Sequence, residues 1–195
     1  MNQGIYGQFP VIGNMIPKDY VVTKGYGDTD INSGNKYPWK TGSFDSACVM
    51  ASIENFNIVK YTSILPPEAT EIPMEQARAL YHPGAVMGTI MAQVNGYKGE
   101  RICAGVGRIQ VRRNYDGLYI AGYAAEYLGD GDEQVAKRSL HESLLSMVFR
   151  RFNPRDVTVF NERLCIQEHI VKHQYGTVIA VIGFLNNIYP VIGGL

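Results

Sequence analysis

The chain has 195 residues, 46% hydrophobic and 18% charged, an ordinary globular balance that excludes a disordered protein and fits one domain with at most a small extension. Eighteen Lys plus Arg offset eighteen Asp plus Glu, so the basic excess of a nucleic-acid or acidic-membrane binder is missing. No apolar run reaches the roughly 18 residues of a spanning helix, and Cys48, Cys103 and Cys165 are too widely spaced for a disulfide framework or a zinc ribbon.

The start of the chain lacks the basic-then-apolar order of a signal peptide, so the expectation is a soluble, cytoplasmic protein. The 21 Gly and 13 Tyr point to many tight turns and β-rich packing. Residues 1–40 read as a turn-rich N-terminal arm, punctuated by Pro10, Gly13, Pro17, Gly25, Gly27, Gly34 and Pro38, with one strand at Asp19–Tyr26. The remaining 41–195 read as one domain.

Ser43 opens a helix of about three turns, with Ser43 as N-cap, Asp45 in the first turn, and Phe44, Ala47, Cys48, Met50 and Ala51 at near-helical spacing. Phe56–Thr62 is rich in β-branched and aromatic residues and reads as a strand, stopped by Pro66 and Pro67. Ala85–Val94, Arg101–Arg112 and Leu118–Leu128 follow as strands, with turns expected at Asn95-Gly96 and Asp116-Gly117. Glu133–Phe152 is the clearest helix, its inner stripe expected to hold Val135, Leu144, Leu145, Val148, Phe149 and Phe152. Strands within Val157–Lys172 and at Gly176–Leu185 close the domain. Helices alternating with short-linked strands predict an α+β sandwich of mainly antiparallel sheets.

Several motifs resolve into ordinary features. Glu168-His169-x-x-x-His173 has two histidines four apart, but the glutamate precedes them, where the zincin order places it between. On a strand the histidines would sit about 13 Å apart, and no third ligand accompanies them. Gly105-Val106-Gly107 lacks the third glycine of a dinucleotide fingerprint and reads as close packing within a strand. Arg112-Arg113 and Arg150-Arg151 read as solvated edges, and no GxSxG elbow occurs. Asn55–Glu68 is different. Ser63 stands at an abrupt strand-to-proline junction, where backbone strain beside a hydroxyl would suit an N→O acyl shift onto the Thr62 carbonyl; an ordinary turn serine is the alternative.

Ile53–Pro66 (IENFNIVKYTSILP) closely resembles the self-cleavage region of pyruvoyl-dependent arginine decarboxylases, nearer the chlamydial-type members with Thr-Ser than the archaeal ones with Ser-Ser. His82–Val86, Ala124–Tyr127 and Ile182–Asn186 resemble further blocks of that family, in the same order, from about Asp45 onward. The resemblance implies an αββα sandwich cleaved between Thr62 and Ser63 into 1–62 and 63–195. Ester formation, β-elimination and loss of ammonia would then convert residue 63 into a pyruvoyl group. That group would form a Schiff base with the substrate amine and drain electrons as CO2 leaves.

By the same resemblance Asn57 helps polarise the carbonyl during processing and Glu126 donates the proton at Cα. Without it, Glu126 would read as an edge-strand residue on a solvated face. Asp45 matches the residue that binds the distal group of arginine, for which a carboxylate suits a guanidinium fork. Cys48 falls where archaeal relatives carry leucine beside the substrate stem. No metal and no pyridoxal phosphate is implied. The implied partners are an amino-acid substrate and copies of the chain itself, as a trimer or pair of trimers. Another cationic amino acid, or an unprocessed non-catalytic subunit of the same fold, are the alternatives.

Overall fold

The structure, a computed structural model, describes residues 14–32, 34, 36–39 and 41–189. In chain order the elements are β1 (Ile16–Pro17), β2 (Asp19–Thr29), α1 (Ser43–Met50), β3 (Asn57–Lys60), β4 (Ile64–Leu65), β5 (Thr70–Glu71) and α2 (Met74–Arg78). They continue with β6 (Val86–Tyr97), β7 (Arg101–Arg113), β8 (Tyr119–Gly129), α3 (Glu133–Phe149), β9 (Val157–Ile170), β10 (Tyr175–Phe184) and β11 (Asn187–Ile188).

Two sheets carry the fold. A five-stranded sheet runs β3-β6-β10-β2-β5 and a four-stranded sheet runs β4-β8-β7-β9, with β1 and β11 forming a separate small pair. The long neighbours are antiparallel; only the edge strands β3 and β5 join in parallel. Three apolar clusters separate four layers. Ala47, Cys48, Met87, Ile179 and Val181 lie between α1 and the first sheet. Ile90, Ala104, Val106, Val178, Ala180 and Ile182 fill the space between sheets. Cys103, Ile109, Val111, Leu140, Leu144 and Val148 lie under α3. The period-2 alternation of β10 and β7 explains this, because odd and even positions feed different layers. The architecture is the expected αββα sandwich.

The close approach of α1 depends on glycine. A Cβ on Gly25 would sit 2.1 Å from the Ala47 carbonyl oxygen, and one on Gly27 2.3 Å from that of Ser43, so α1 rests directly on β2. Gly105 and Gly107 lie under side chains of α3 and β9: a Cβ on Gly105 would meet Leu140 Cδ1 at 3.0 Å and Ile166 Cγ1 at 3.1 Å, and one on Gly107 would meet Leu164 Cδ2 at 2.7 Å and Leu144 Cδ1 at 3.1 Å, the close packing expected of that pair.

Other details differ from the sequence reading. The arm expected over 1–40 divides: β2 lies inside the first sheet, paired with β10 from Tyr20↔Phe184 to Thr29↔Tyr175, while residues 1–13 lie outside the described residues. Ser43 does not cap α1. Gly42 precedes the helix, and the buried Ser43 hydroxyl instead shares a 2.8 Å hydrogen bond with Thr177 Oγ1 on β10. The chain passes straight through Asn95-Gly96 and reverses at Gly99, whose φ of +88° a glycine accommodates. In α3 the buried line is Ala136, Leu140, Leu144 and Val148, while Val135 and Phe149 are exposed. The small Ala136 on that line lets the helix settle onto the glycine-bearing strand.

Candidate active site

The Thr62–Ser63 bond lies where the chain leaves one sheet for the other. Upstream, Asn57–Lys60 runs along the edge of the five-stranded sheet in register with Val86–Thr89, and the Tyr61 N–H still donates to the Thr89 carbonyl at 2.7 Å. Downstream, Ile64 and Leu65 pair with Tyr123 and Gly122 of the four-stranded sheet. Thr62 and Ser63 alone bridge the gap. Thr62 is exposed, Ser63 half-buried, and the backbone bends at Ser63.

Each flank is anchored by a large side chain over a glycine. The Tyr61 ring lies so close above Gly88 that a Cβ there would be 2.1 Å from Tyr61 Cζ, and it packs against Phe184 with centroids 5.9 Å apart. Leu65 is buried in the inter-sheet core, and a Cβ on Gly122 would meet its own Cβ at 2.9 Å. The strain expected at Ser63 does not take the form of a positive φ, which among described non-glycine residues occurs only at Ser52 and Asn161. A short linker stretched between two anchored sheet edges is what the fold provides. Tyr61, Gly88 and Gly122 escaped the sequence reading because their role is visible only as contact across sheets.

The Ser63 carbonyl oxygen accepts the Ala124 N–H at 3.0 Å. Ala124 belongs to the inter-sheet core, and Glu126, two residues along β8, shares its face. Glu126 is exposed in the single protomer, yet partial burial lifts its carboxyl above the ordinary range, against the opposing pull of the Lys60 ammonium and the Met91 backbone N–H. The structure therefore brings Ser63, Thr62 and Glu126 to one edge of the sandwich.

The Asn57 N–H pairs with the Ala85 carbonyl and the Tyr61 N–H with that of Thr89, which places Asn57 about 13 Å along the sheet edge from Tyr61. The Asn57 side-chain amide donates to the Gly84 carbonyl at 2.8 Å. Asp45 projects from the first turn of α1, exposed and without a hydrogen bond or ion pair among the described residues. Cys48 follows three residues later but is 4% exposed, sealed between helix and sheet; burial, reinforced by Asp45 and Glu54, pushes its thiol up to about 12.

A cleft of about 340 Å³ lies at this edge, lined by Phe44 of α1, Asn57, Ile58 and Lys60 of β3, and Met91 and Gln93 of β6. A larger cleft of about 850 Å³ opens beneath Pro67–Met74. There Arg108 and Arg163 both pair with Glu71, at 2.6 and 2.8 Å, so its charges already answer one another. Neither Ser63 nor Glu126 lines either cleft; the smaller one reaches Lys60, three residues before Ser63. The two histidines noted in the sequence each meet an aspartate: His169 Nε2 lies 2.8 Å from Asp28 Oδ2, and His173 Nδ1 2.8 Å from Asp30 Oδ2.

The family profile described as pyruvoyl-dependent arginine decarboxylase matches residues 19–188. A relative from Chlamydia muridarum named pyruvoyl-dependent arginine decarboxylase AaxB is 33% identical over 182 residues, covering 87% of this chain and 92% of its own. The protein of the same name from Chlamydia caviae is 32% identical, covering 84% and 88%. Pyruvoyl-dependent arginine decarboxylase 2 of Methanosarcina mazei is 29% identical, covering 67% and 65%. With a profile match from β2 to β11 and the two chlamydial relatives matched over 92% and 88% of their length, this chain belongs to the pyruvoyl-dependent arginine decarboxylase family.

Proposed function

We propose that this chain cleaves itself between Thr62 and Ser63 and then converts L-arginine to agmatine and CO2. The observation that carries the reading is the bridging Thr62–Ser63 bond with the Ser63 carbonyl fixed by Ala124, two residues from Glu126. Ser63 Oγ attacks the Thr62 carbonyl carbon and the peptide nitrogen leaves, giving an ester. Loss of the Ser63 Cα proton then breaks the Cβ–O bond, so the Thr62 carboxylate departs and residue 63 becomes dehydroalanine. Addition of water and loss of ammonia complete the pyruvoyl group.

The surroundings of Ser63 suit that group, since its carbonyl oxygen already has a fixed donor in the Ala124 N–H. The pyruvoyl group supplies an electrophilic carbonyl for the substrate amine and a sink for the electrons of the bond to CO2. Ala124 N–H polarises the adjoining carbonyl oxygen on which negative charge develops. Glu126 holds a proton and delivers it to the substrate Cα; burial raises its proton affinity, the direction a general acid needs. Asp45 receives the guanidinium, being an unpaired carboxylate in a first helical turn.

We place the working site between protomers of a trimer or pair of trimers. The supporting observation is that apolar side chains along β3, β4 and the start of β6 are open, with Val59 46%, Ile64 49% and Val86 67% exposed. A cytoplasmic setting suits the three cysteines, all free thiols. No helix among the described residues is long and apolar enough to cross a membrane.

Intact mass under denaturing conditions, followed by agmatine and CO2 assay, tests the proposal. Two species near one-third and two-thirds of 21.7 kDa, the larger blocked to N-terminal sequencing, are expected. A single 21.7 kDa species that survives prolonged incubation would instead identify an unprocessed, non-catalytic subunit.

A further inference from the structure

An amino-acid substrate offers three polar handles. In the reading above the α-amine goes to residue 63 and the guanidinium to Asp45, which leaves the α-carboxylate without a partner. A carboxylate entering a half-buried site needs a cation or several N–H donors, because losing water without compensation is costly.

Lys60 is placed to be that cation. It is the last residue of β3, in register with Thr89 and three residues before Ser63. Among the described residues it makes no hydrogen bond and no ion pair. Its charge acts on Glu126, the acid that shares a strand face with the anchor of the Ser63 carbonyl. It also lines the 340 Å³ cleft, whose Phe44, Ile58 and Met91 offer apolar wall to an aliphatic stem. That volume falls within the roughly 300–1,000 Å³ of small-molecule clefts.

We propose that Lys60 receives the α-carboxylate of the substrate; the proposal rests on the decarboxylase reading above. The assignment has a second consequence. In the empty site the ammonium favours the charged form of Glu126. A bound carboxylate neutralises Lys60, so Glu126 takes up its proton more readily once substrate is in place. Carboxylate recognition thereby loads the acid that the later proton transfer needs.

The test compares arginine with agmatine, which differs from it by the missing carboxylate. Lys60→Met should self-cleave normally, which serves as the check of folding. Its KM for arginine should rise by tenfold or more, about the loss expected for one charge-assisted contact, while the inhibition constant for agmatine stays unchanged. Lys60→Arg, which keeps the charge, should recover most of the affinity. The basic limb of the kcat/KM profile should move to higher pH in Lys60→Met, because Glu126 no longer feels the ammonium. Equal shifts for arginine and agmatine, or none for either, overturn the assignment. If the wild-type protein prefers another amino acid, the arginine reading falls; the same ratio, measured with that amino acid and its decarboxylated amine, still decides the role of Lys60.

Discussion

The backbone N–H of Ala124 holds the carbonyl oxygen of Ser63 at 3.0 Å, tying the residue after the proposed cleavage point to the four-stranded sheet while Tyr61 remains bonded to the five-stranded one. This places a two-residue bridge under the control of two separately packed sheet edges, and the predictions follow from it.

Ser63→Ala removes the hydroxyl that attacks Thr62. The chain should fold, remain a single 21.7 kDa species in intact mass measurement and form no agmatine. Fragments in that variant would remove Ser63 from the cleavage step.

Gly88→Ala intrudes on the Tyr61 ring, because the new Cβ would lie 2.1 Å from Cζ. The ring must move and carry the upstream side of the bridge with it. Self-cleavage should slow by roughly tenfold to a hundredfold, as expected for displacement of reacting atoms by about an ångström. A time course of intact mass reads this directly; an unaltered rate would show that the Tyr61 anchor does not position the bond.

Glu126→Gln should mature normally yet lose about 10²- to 10⁴-fold in turnover, the usual worth of a general acid. In the wild-type enzyme kcat should fall as pH rises through the elevated Glu126 titration. The same shift has a stability sign. Folding raises the proton affinity of this carboxyl, so its favourable contribution is complete below the ordinary glutamate range and is lost as pH climbs through the folded value. Thermal melts against pH should show that loss in wild type and not in Glu126→Gln.

Gly25→Ala tests how α1 is seated, since its Cβ would approach the Ala47 carbonyl oxygen to 2.1 Å. Overpacking of this kind costs about 1–3 kcal/mol. Because α1 also carries Asp45, the KM for arginine should rise along with the loss in melting temperature. Asp45→Asn should raise KM without that loss of stability and without slowing self-cleavage; unchanged arginine selectivity would move the guanidinium site elsewhere.

Asp28→Ala strands His169, which is buried and stacked on Tyr26 with ring centroids 4.2 Å apart. The pair joins β2 of one sheet to β9 of the other. Leaving a buried polar group unpaired costs about 1–3 kcal/mol, which calorimetry should register as several degrees in melting temperature. A melting curve identical to wild type would mean that the sheets are held together elsewhere.

Local patterning in the chain determined much of this protein. Runs such as Arg101–Arg112 and Thr177–Leu185 alternate or saturate in β-branched residues, so strands form there wherever they end up pairing, and Glu133–Phe149 carries its own helical period and the Asp132 cap. The unbroken block Ile53–Pro66 carried the family resemblance that the profile match over 19–188 bears out. Ser43 shows the limit of local reading: a good capping residue was claimed by Thr177, 134 positions away. The tertiary structure alone decided that Thr62–Ser63 bridges two sheets, that Tyr61 rests on Gly88, that Ala124 fixes the Ser63 carbonyl, and that Cys48 is sealed under α1. These contacts join residues far apart in the chain, and their geometry follows from how two twisted sheets and their helices pack, a property that no single segment encodes.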